Sequence, residues 1–101
     1  MQAETLLDAL RFVSSEFNQR ALSKQLGFSV GKTNYILKSL VEKGLIKIER
    51  FANSENKLNY RYVLTPKGIN ERMALTECFI ERKRQEYQTL SEELEMMKSS
   101  E

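Results

Sequence analysis

The sequence predicts a mainly helical α+β fold: three short helices, a two-stranded hairpin and a long C-terminal helix. Three observations predict it. Apolar residues recur at helical spacing from Ala3 to Lys43, the period falls to two between Ile46 and Leu64, and no helix breaker follows Gly68. At 101 residues, the chain has room for one compact unit and an extension. That size excludes a two-domain enzyme and leaves little volume for a deep substrate cavity.

The first helix runs from Ala3 to about Ser14, with Leu6, Leu7, Leu10 and Phe12 or Val13 on its apolar side, and ends in the Ser14-Ser15 pair. Asn18 is a good N-cap for a second helix, Gln19 to Leu26, which turns Ala21, Leu22 and Leu26 inward and stops at Gly27. Ser29 caps the third. That helix reaches Lys43 with Val30, Thr33, Ile36, Leu37, Leu40 and Val41 on one face, and Gly44 closes it. Its other side is left with Ser29, Gly31, Lys32, Asn34, Tyr35 and Lys38.

Beyond Gly44, Ile46 and Ile48 alternate with Lys47 and Glu49, then Leu58, Tyr60, Tyr62 and Leu64 alternate with Asn59, Arg61 and Val63. These are the strands of a hairpin. Its connection, Ala52 to Lys57, contains Asn53, Ser54 and Asn56, residues that favour projecting turns. Thr65-Pro66 opens the last helix, proline being tolerated in a first turn whose N–H groups are unpaired anyway. From Ile69 the residues Met73, Thr76, Ile80, Lys83, Tyr87, Leu90, Leu94 and Met97 follow at alternating intervals of four and three, an a/d seam with two polar interruptions. A helix from Pro66 to Met97 is about 48 Å long, so half of it extends past so small a domain.

Helix, helix, glycine turn, helix and hairpin, in that order, make a winged helix-turn-helix over residues 1–65, with residues 66–101 as a C-terminal coiled-coil dimerisation helix. In such a motif the third helix enters the DNA major groove. Its free face suits that task. Asn34 matches adenine in a bidentate pair, Lys32 matches guanine or phosphate, Ser29 sits where helix N–H groups favour phosphate, and Gly31 permits close approach. A polar face on a lone helix is ordinarily just solvated; the hairpin that follows favours the DNA reading. In the wing, Arg50, Asn53, Asn56, Lys57 and Arg61 are placed for a minor groove or its phosphates, although basic hairpin edges also serve to discourage edge-to-edge aggregation.

Charge distribution agrees. Between Asn18 and Leu64 nine Lys or Arg face three acids, a balance of +6, whereas Thr65 to Glu101 carries six basic and eight acidic residues, −2. The middle of the chain is suited to a polyanion and the tail is not. On the tail, Ile69, Leu75 and Phe79 are expected to fold back on the domain. The distal seam of Ile80, Lys83, Tyr87, Leu90, Leu94 and Met97 is then most simply buried by a second copy, with Lys83 weakening the coil but fixing its register. A two-fold homodimer presents two recognition helices to major grooves about 34 Å apart, so the expected target is an inverted repeat in double-stranded DNA. The seam leaves parallel and antiparallel pairing open.

Other chemistries fare poorly. Gly27 to Thr33, GFSVGKT, resembles a phosphate loop but has three residues between its glycines where that motif needs four, and no strand precedes it. With no histidine and one cysteine, neither an internal disulfide nor the common zinc spacings can form, and no cofactor is expected. Cys78 beside Arg82 reads as an ordinary helix cysteine, a redox sensor being the weaker alternative. No apolar run spans a bilayer, and the acidic start MQAETLLDAL is unlike a secretory signal, so the expectation is a cytoplasmic, non-enzymatic protein with no membrane partner.

The stretch NQRALSKQLGFSVGKTNYILKSLVEKGLIKIE, a polar wing and then YVLTPKGINER resemble the MarR-type winged-helix transcriptional regulators. VEKGLIKIE and the LTPKG start of the last helix look most like the small branch associated with exopolysaccharide gene clusters. The resemblance implies a bacterial dimeric repressor or activator, with Ser29, Lys32, Asn34, Tyr35 and Lys38 at recognition-helix positions and Asn53 to Arg61 as the wing. Where that family's wing commonly carries Asp-x-Arg, this one reads NSENKLNYR, which leaves Lys57 or Arg61 to take the arginine's place. The operator, the regulated genes and any small-molecule effector stay open. So does a second reading, a winged-helix protein–protein interaction module without direct DNA binding, for which the exposed Tyr35 and the unusual wing speak.

Overall fold

The computed structural model describes residues 1–13, 18–52 and 58–100. Its order is α1 (Ala3–Phe12), α2 (Gln19–Leu26), α3 (Val30–Glu42), β1 (Ile46–Ala52), β2 (Leu58–Leu64) and α4 (Pro66–Ser99). The Ser14-Ser15 stop expected for α1 lies outside the described residues, as do the wing-tip residues Asn53, Asn56 and Lys57.

The caps act as their residue types dictate. The Asn18 side chain accepts a hydrogen bond from the Ala21 amide at 2.7 Å, and the Ser29 hydroxyl accepts one from the Lys32 amide at 3.1 Å. Gly27 and Gly44 end α2 and the turn after α3 at φ +77° and +73°, a left-handed conformation that a Cβ disfavours. Both turns are closed by backbone bonds, from the Phe28 amide to the Ser23 carbonyl and from the Leu45 amide to the Leu40 carbonyl, each 3.0 Å.

The core lies where α1, α2, α3 and the start of β1 meet, with Leu10, Val13, Leu22, Leu37, Leu40 and Ile46 buried at its centre. Apolar area removed from water here drives folding, at about 1.5–3 kcal/mol for each fully buried Leu, Ile or Val. The inner stripe of α3 is narrower than its sequence pattern suggests. Thr33, Ile36, Leu37 and Leu40 are buried, but Val30 and Val41, expected inside, are 47% and 38% exposed. At 100° per residue these two sit roughly 70–90° off the centre of the stripe, on the same edge.

β1 and β2 pair antiparallel with Ile46 opposite Leu64 and Ile48 opposite Tyr62. Ile46 is buried, yet Ile48, two residues on and on the same face, is exposed, while its cross-strand partner Tyr62 packs against the edge of the core.

α4 begins at a joint with the turn after α3. The Thr65 amide donates to the Leu45 carbonyl at 3.1 Å, and its hydroxyl donates to the Gly44 carbonyl at 2.5 Å while accepting from the Gly68 amide at 3.0 Å. Lys67 Nζ donates to the Lys43 carbonyl at 2.9 Å. Gly68 is buried against the Leu45 carbonyl, and a Cβ there would stand 1.9 Å from its oxygen, so the position requires glycine. The helix then runs 34 residues, about 51 Å, and gives the molecule its 69 Å length against a 25 Å width. Leu75 packs against the core and Phe79 is partly covered, but Ile69, expected to fold back, is exposed. No helix among the described residues is long and apolar enough to cross a membrane.

Candidate nucleic-acid interface

The four inward residues of α3 anchor it along one side, which leaves the opposite side to solvent. Ser29, Gly31, Lys32, Tyr35 and Lys38 are exposed there, as their spacing predicts. Among the described residues neither Lys32 nor Lys38 has an acidic partner, so both ammonium charges face outward without a competing carboxylate. Lys32 Nζ lies over the Phe28 ring, 3.9 Å from its centroid, a cation–π contact that draws the side chain toward the start of α3. Phe28 was not among the expected site residues; an aromatic one turn before a lysine at a helix start is the signal that points to it. On this flank a groove of about 480 Å³ separates the beginning of α1 from α3, with Phe28, Lys32, Tyr35 and Lys43 on its walls.

Asn34 departs from expectation. It is half-buried on the edge of α3 that faces α2, and its Oδ1 accepts a hydrogen bond from Gln19 Nε2 at 2.9 Å. Helical geometry places Asn34 about 110° from the centre of the inner stripe, on the edge shared by Val30 and Val41, so α2 covers it in part. Gln19 was missed in the sequence because nothing local relates residues fifteen apart.

Gly31 has open space around it: a Cβ would meet nothing within 4 Å, so neither packing nor backbone conformation explains glycine there.

In the wing, Arg50 Nη2 donates to the Tyr60 hydroxyl at 3.2 Å and its guanidinium lies 5.5 Å from the centre of that ring. Arg61 is exposed and stands 3.6 Å from Glu49, its partner across the ladder. Two of the five expected wing residues are thus placed on the outer hairpin, both engaged with neighbouring side chains.

On α4 the distal seam is bare. Ile80, Tyr87, Leu90 and Met97 are 62%, 74%, 65% and 61% exposed, and Lys83 and Leu94 accompany them in the open. Lys83 pairs with Glu86 at 3.6 Å along the helix, and Arg84 with Glu81. Cys78 is exposed and free.

Together, an anchored helix with a basic outer side and a hairpin beside it define a winged helix-turn-helix. A family model described as winged helix-turn-helix DNA-binding matches residues 17–47, which are α2, α3 and the start of β1. Over the whole chain the fold is that of winged-helix transcriptional regulators, a MarR-family member among them. Staphylococcus aureus MepR, a transcription regulator of the multidrug efflux pump MepA, is 25% identical with a TM-score of 0.64, over 97% of this chain and 70% of MepR. Lactococcus lactis ZitR, a zinc-responsive MarR family member, is 27% identical at 0.64, over 88% of this chain and 60% of ZitR. A PadR-like transcriptional regulator from Bacillus cereus superposes at 0.70 with 20% identity, over 86% and 92%. MepR has also been solved in complex with DNA. No curated protein matches the sequence significantly.

Proposed function

We propose that this chain is a MarR-type transcriptional regulator that binds specific double-stranded DNA in the cytoplasm as a homodimer, with α3 as the recognition helix. The observation that carries the reading is the outer side of α3: Ser29, Gly31, Lys32, Tyr35 and Lys38 lie open, with no acid against either lysine among the described residues, on a helix held rigidly by its buried side. Ammonium groups set for phosphate and groove contact supply affinity, and hydrogen-bonding side chains on the same turns supply base choice. The MepR–DNA complex supports the DNA-binding part of this reading by analogy of fold.

The bare seam from Ile80 to Met97 supports the homodimer, since a second copy of the same stripe buries it. A two-fold dimer calls for an inverted repeat with half-sites about 34 Å apart. Asn53, Asn56, Lys57 and Arg61 in the wing are proposed to reach flanking phosphates or the minor groove. Placement in the exopolysaccharide-associated branch has the sequence resemblance as its only support.

Selection from a randomised duplex library at about 50 mM salt, followed by titration of the recovered sequence, tests the reading. Recovery of an inverted repeat is the expected result. No measurable DNA affinity, with a stable heteromeric protein complex instead, favours the interaction-module reading.

A further inference from the structure

Asn34 and Gln19 together carry an inference that rests on α3 being the DNA-reading helix. A carboxamide on a recognition helix has a weakness as a reader: its two ends differ only in O and NH2, and a half-turn about the terminal bond exchanges acceptor for donors. Free in solvent, such a group adapts to several base edges. Here it is not free. Gln19 Nε2 donates to Asn34 Oδ1 at 2.9 Å across the α2–α3 interface, and both side chains are half-buried. The backbone from which the Gln19 side chain reaches is fixed, because the buried Ser23 hydroxyl donates to the Gln19 backbone carbonyl at 2.6 Å and Asn18 caps the same turn.

We infer that Gln19, outside the recognition helix, is a specificity-determining residue, because it pins the orientation of the Asn34 carboxamide. The bond uses one of the two lone pairs on Oδ1. What remains is one acceptor site on oxygen and two Nδ2 hydrogens that have no protein partner among the described residues. In the major groove adenine offers N7 as acceptor and N6 as donor, which that arrangement satisfies. Guanine offers two acceptors, N7 and O6, so a pinned Oδ1 meets an oxygen and is repelled. A half-turn would only set Oδ1 against N7 instead, so guanine is never matched at both ends; a free carboxamide could still swing to give O6 a single bond from Nδ2, and the bond to Gln19 opposes that swing. Gln19 therefore contributes discrimination without having to touch a base.

The test uses the full chain and the duplex recovered by the selection, with each base pair of a half-site substituted in turn. Gln19→Ala is expected to fold and to bind, but to lose about tenfold of its preference for adenine over guanine at the position read by Asn34. In an Asn34→Ala background the same change is expected to do nothing further to that preference, a non-additivity that a purely structural role of Gln19 would not produce. Gln19→Glu separates orientation from packing. A carboxylate only accepts, so Asn34 must turn Nδ2 toward it, and adenine preference should fall below that of Gln19→Ala. The added negative charge weakens all sequences alike and cancels in the ratio. Unchanged base preference in both Gln19 variants, or additive effects with Asn34→Ala, overturns the inference alone. Absence of DNA binding by the wild-type chain overturns it together with the reading of α3.

Discussion

Gly31 occupies the second position of a 13-residue helix where nothing in the fold asks for glycine. Alanine is the better helix former by about 1 kcal/mol, so Gly31→Ala should stabilise the folded chain by about 0.5–1 kcal/mol in a urea titration. If glycine is there to let a groove wall approach the backbone, the same variant should bind the selected duplex less well, and opposite signs in the two measurements are the expected outcome. Thr33 is a second such residue. Its side chain is fully buried, and among the described residues its hydroxyl has no hydrogen-bond partner. Valine has nearly the same shape without the desolvated group, so Thr33→Val is expected to raise stability by about 1 kcal/mol with DNA affinity unchanged. The sequence placed Thr33 correctly on the inner stripe, because periodicity assigns faces. It said nothing of the unpaired hydroxyl. It also set Asn34 among fully exposed residues, since a two-sided view of a helix has no place for the edges, and the edges of α3 are where Asn34, Val30 and Val41 fall. A residue on an edge belongs to whichever neighbour comes closest, which here is α2 for Asn34.

Each of the six elements was legible from spacing and punctuation: Asn18 and Ser29 as caps, Thr65-Pro66 as a helix start, Gly27 and Gly44 as stops, and the change of period after Gly44. What spacing does not encode is how far the core extends. Ile48 and Ile69 fit their patterns as well as Ile46 and Leu75 do, but both stay exposed, Ile69 because it lies about 100–120° around α4 from the side on which Gly68 and Leu75 meet the domain. Nor does it encode the joint at which α4 leaves the domain. Gly68 reads as a tolerated glycine in a first turn, whereas the Leu45 carbonyl oxygen occupies the space of its missing Cβ. Gly68→Ala, a change that favours an isolated helix, is therefore expected to destabilise this chain by about 1–3 kcal/mol in thermal or urea unfolding, because the clash is with backbone. At the distal end of α4 the argument runs the other way. Lys83 interrupts an otherwise apolar seam, and in a paired coil its ammonium must leave water or bend out of the interface. If the proposed homodimer pairs through this seam, Lys83→Leu should tighten self-association by about tenfold in sedimentation equilibrium, while Leu90→Glu should leave monomers that keep their helical circular dichroism.

The joint couples the two ends of the molecule. Lys43, Gly44 and Leu45, immediately after α3, hold the first turn of α4 through Lys67, Thr65 and the close approach at Gly68. The direction of the long helix is thereby fixed relative to α3, and in the proposed dimer two copies joined through that helix would carry their α3 helices at a set separation. Each half of the 69 Å molecule has its own charge character: the excess of +6 lies between residues 18 and 64, and the balance of −2 lies on the tail. A dimer arranged this way repels DNA from its coil and attracts it to its two winged domains, so binding should depend steeply on salt. For contacts to B-DNA phosphates, log K falls with log salt at about 0.9 per phosphate neutralised. Lys32 occurs twice in a dimer, so if it contacts phosphate, Lys32→Ala should weaken binding to all sequences alike and flatten that slope by about 2. A slope unchanged by Lys32→Ala, with loss confined to one base position, would move Lys32 from the phosphate backbone to a guanine edge. A flattening of about 1 would mean that a single subunit engages the duplex, and the Leu90→Glu monomer should then bind the half-site as tightly as the wild-type chain does.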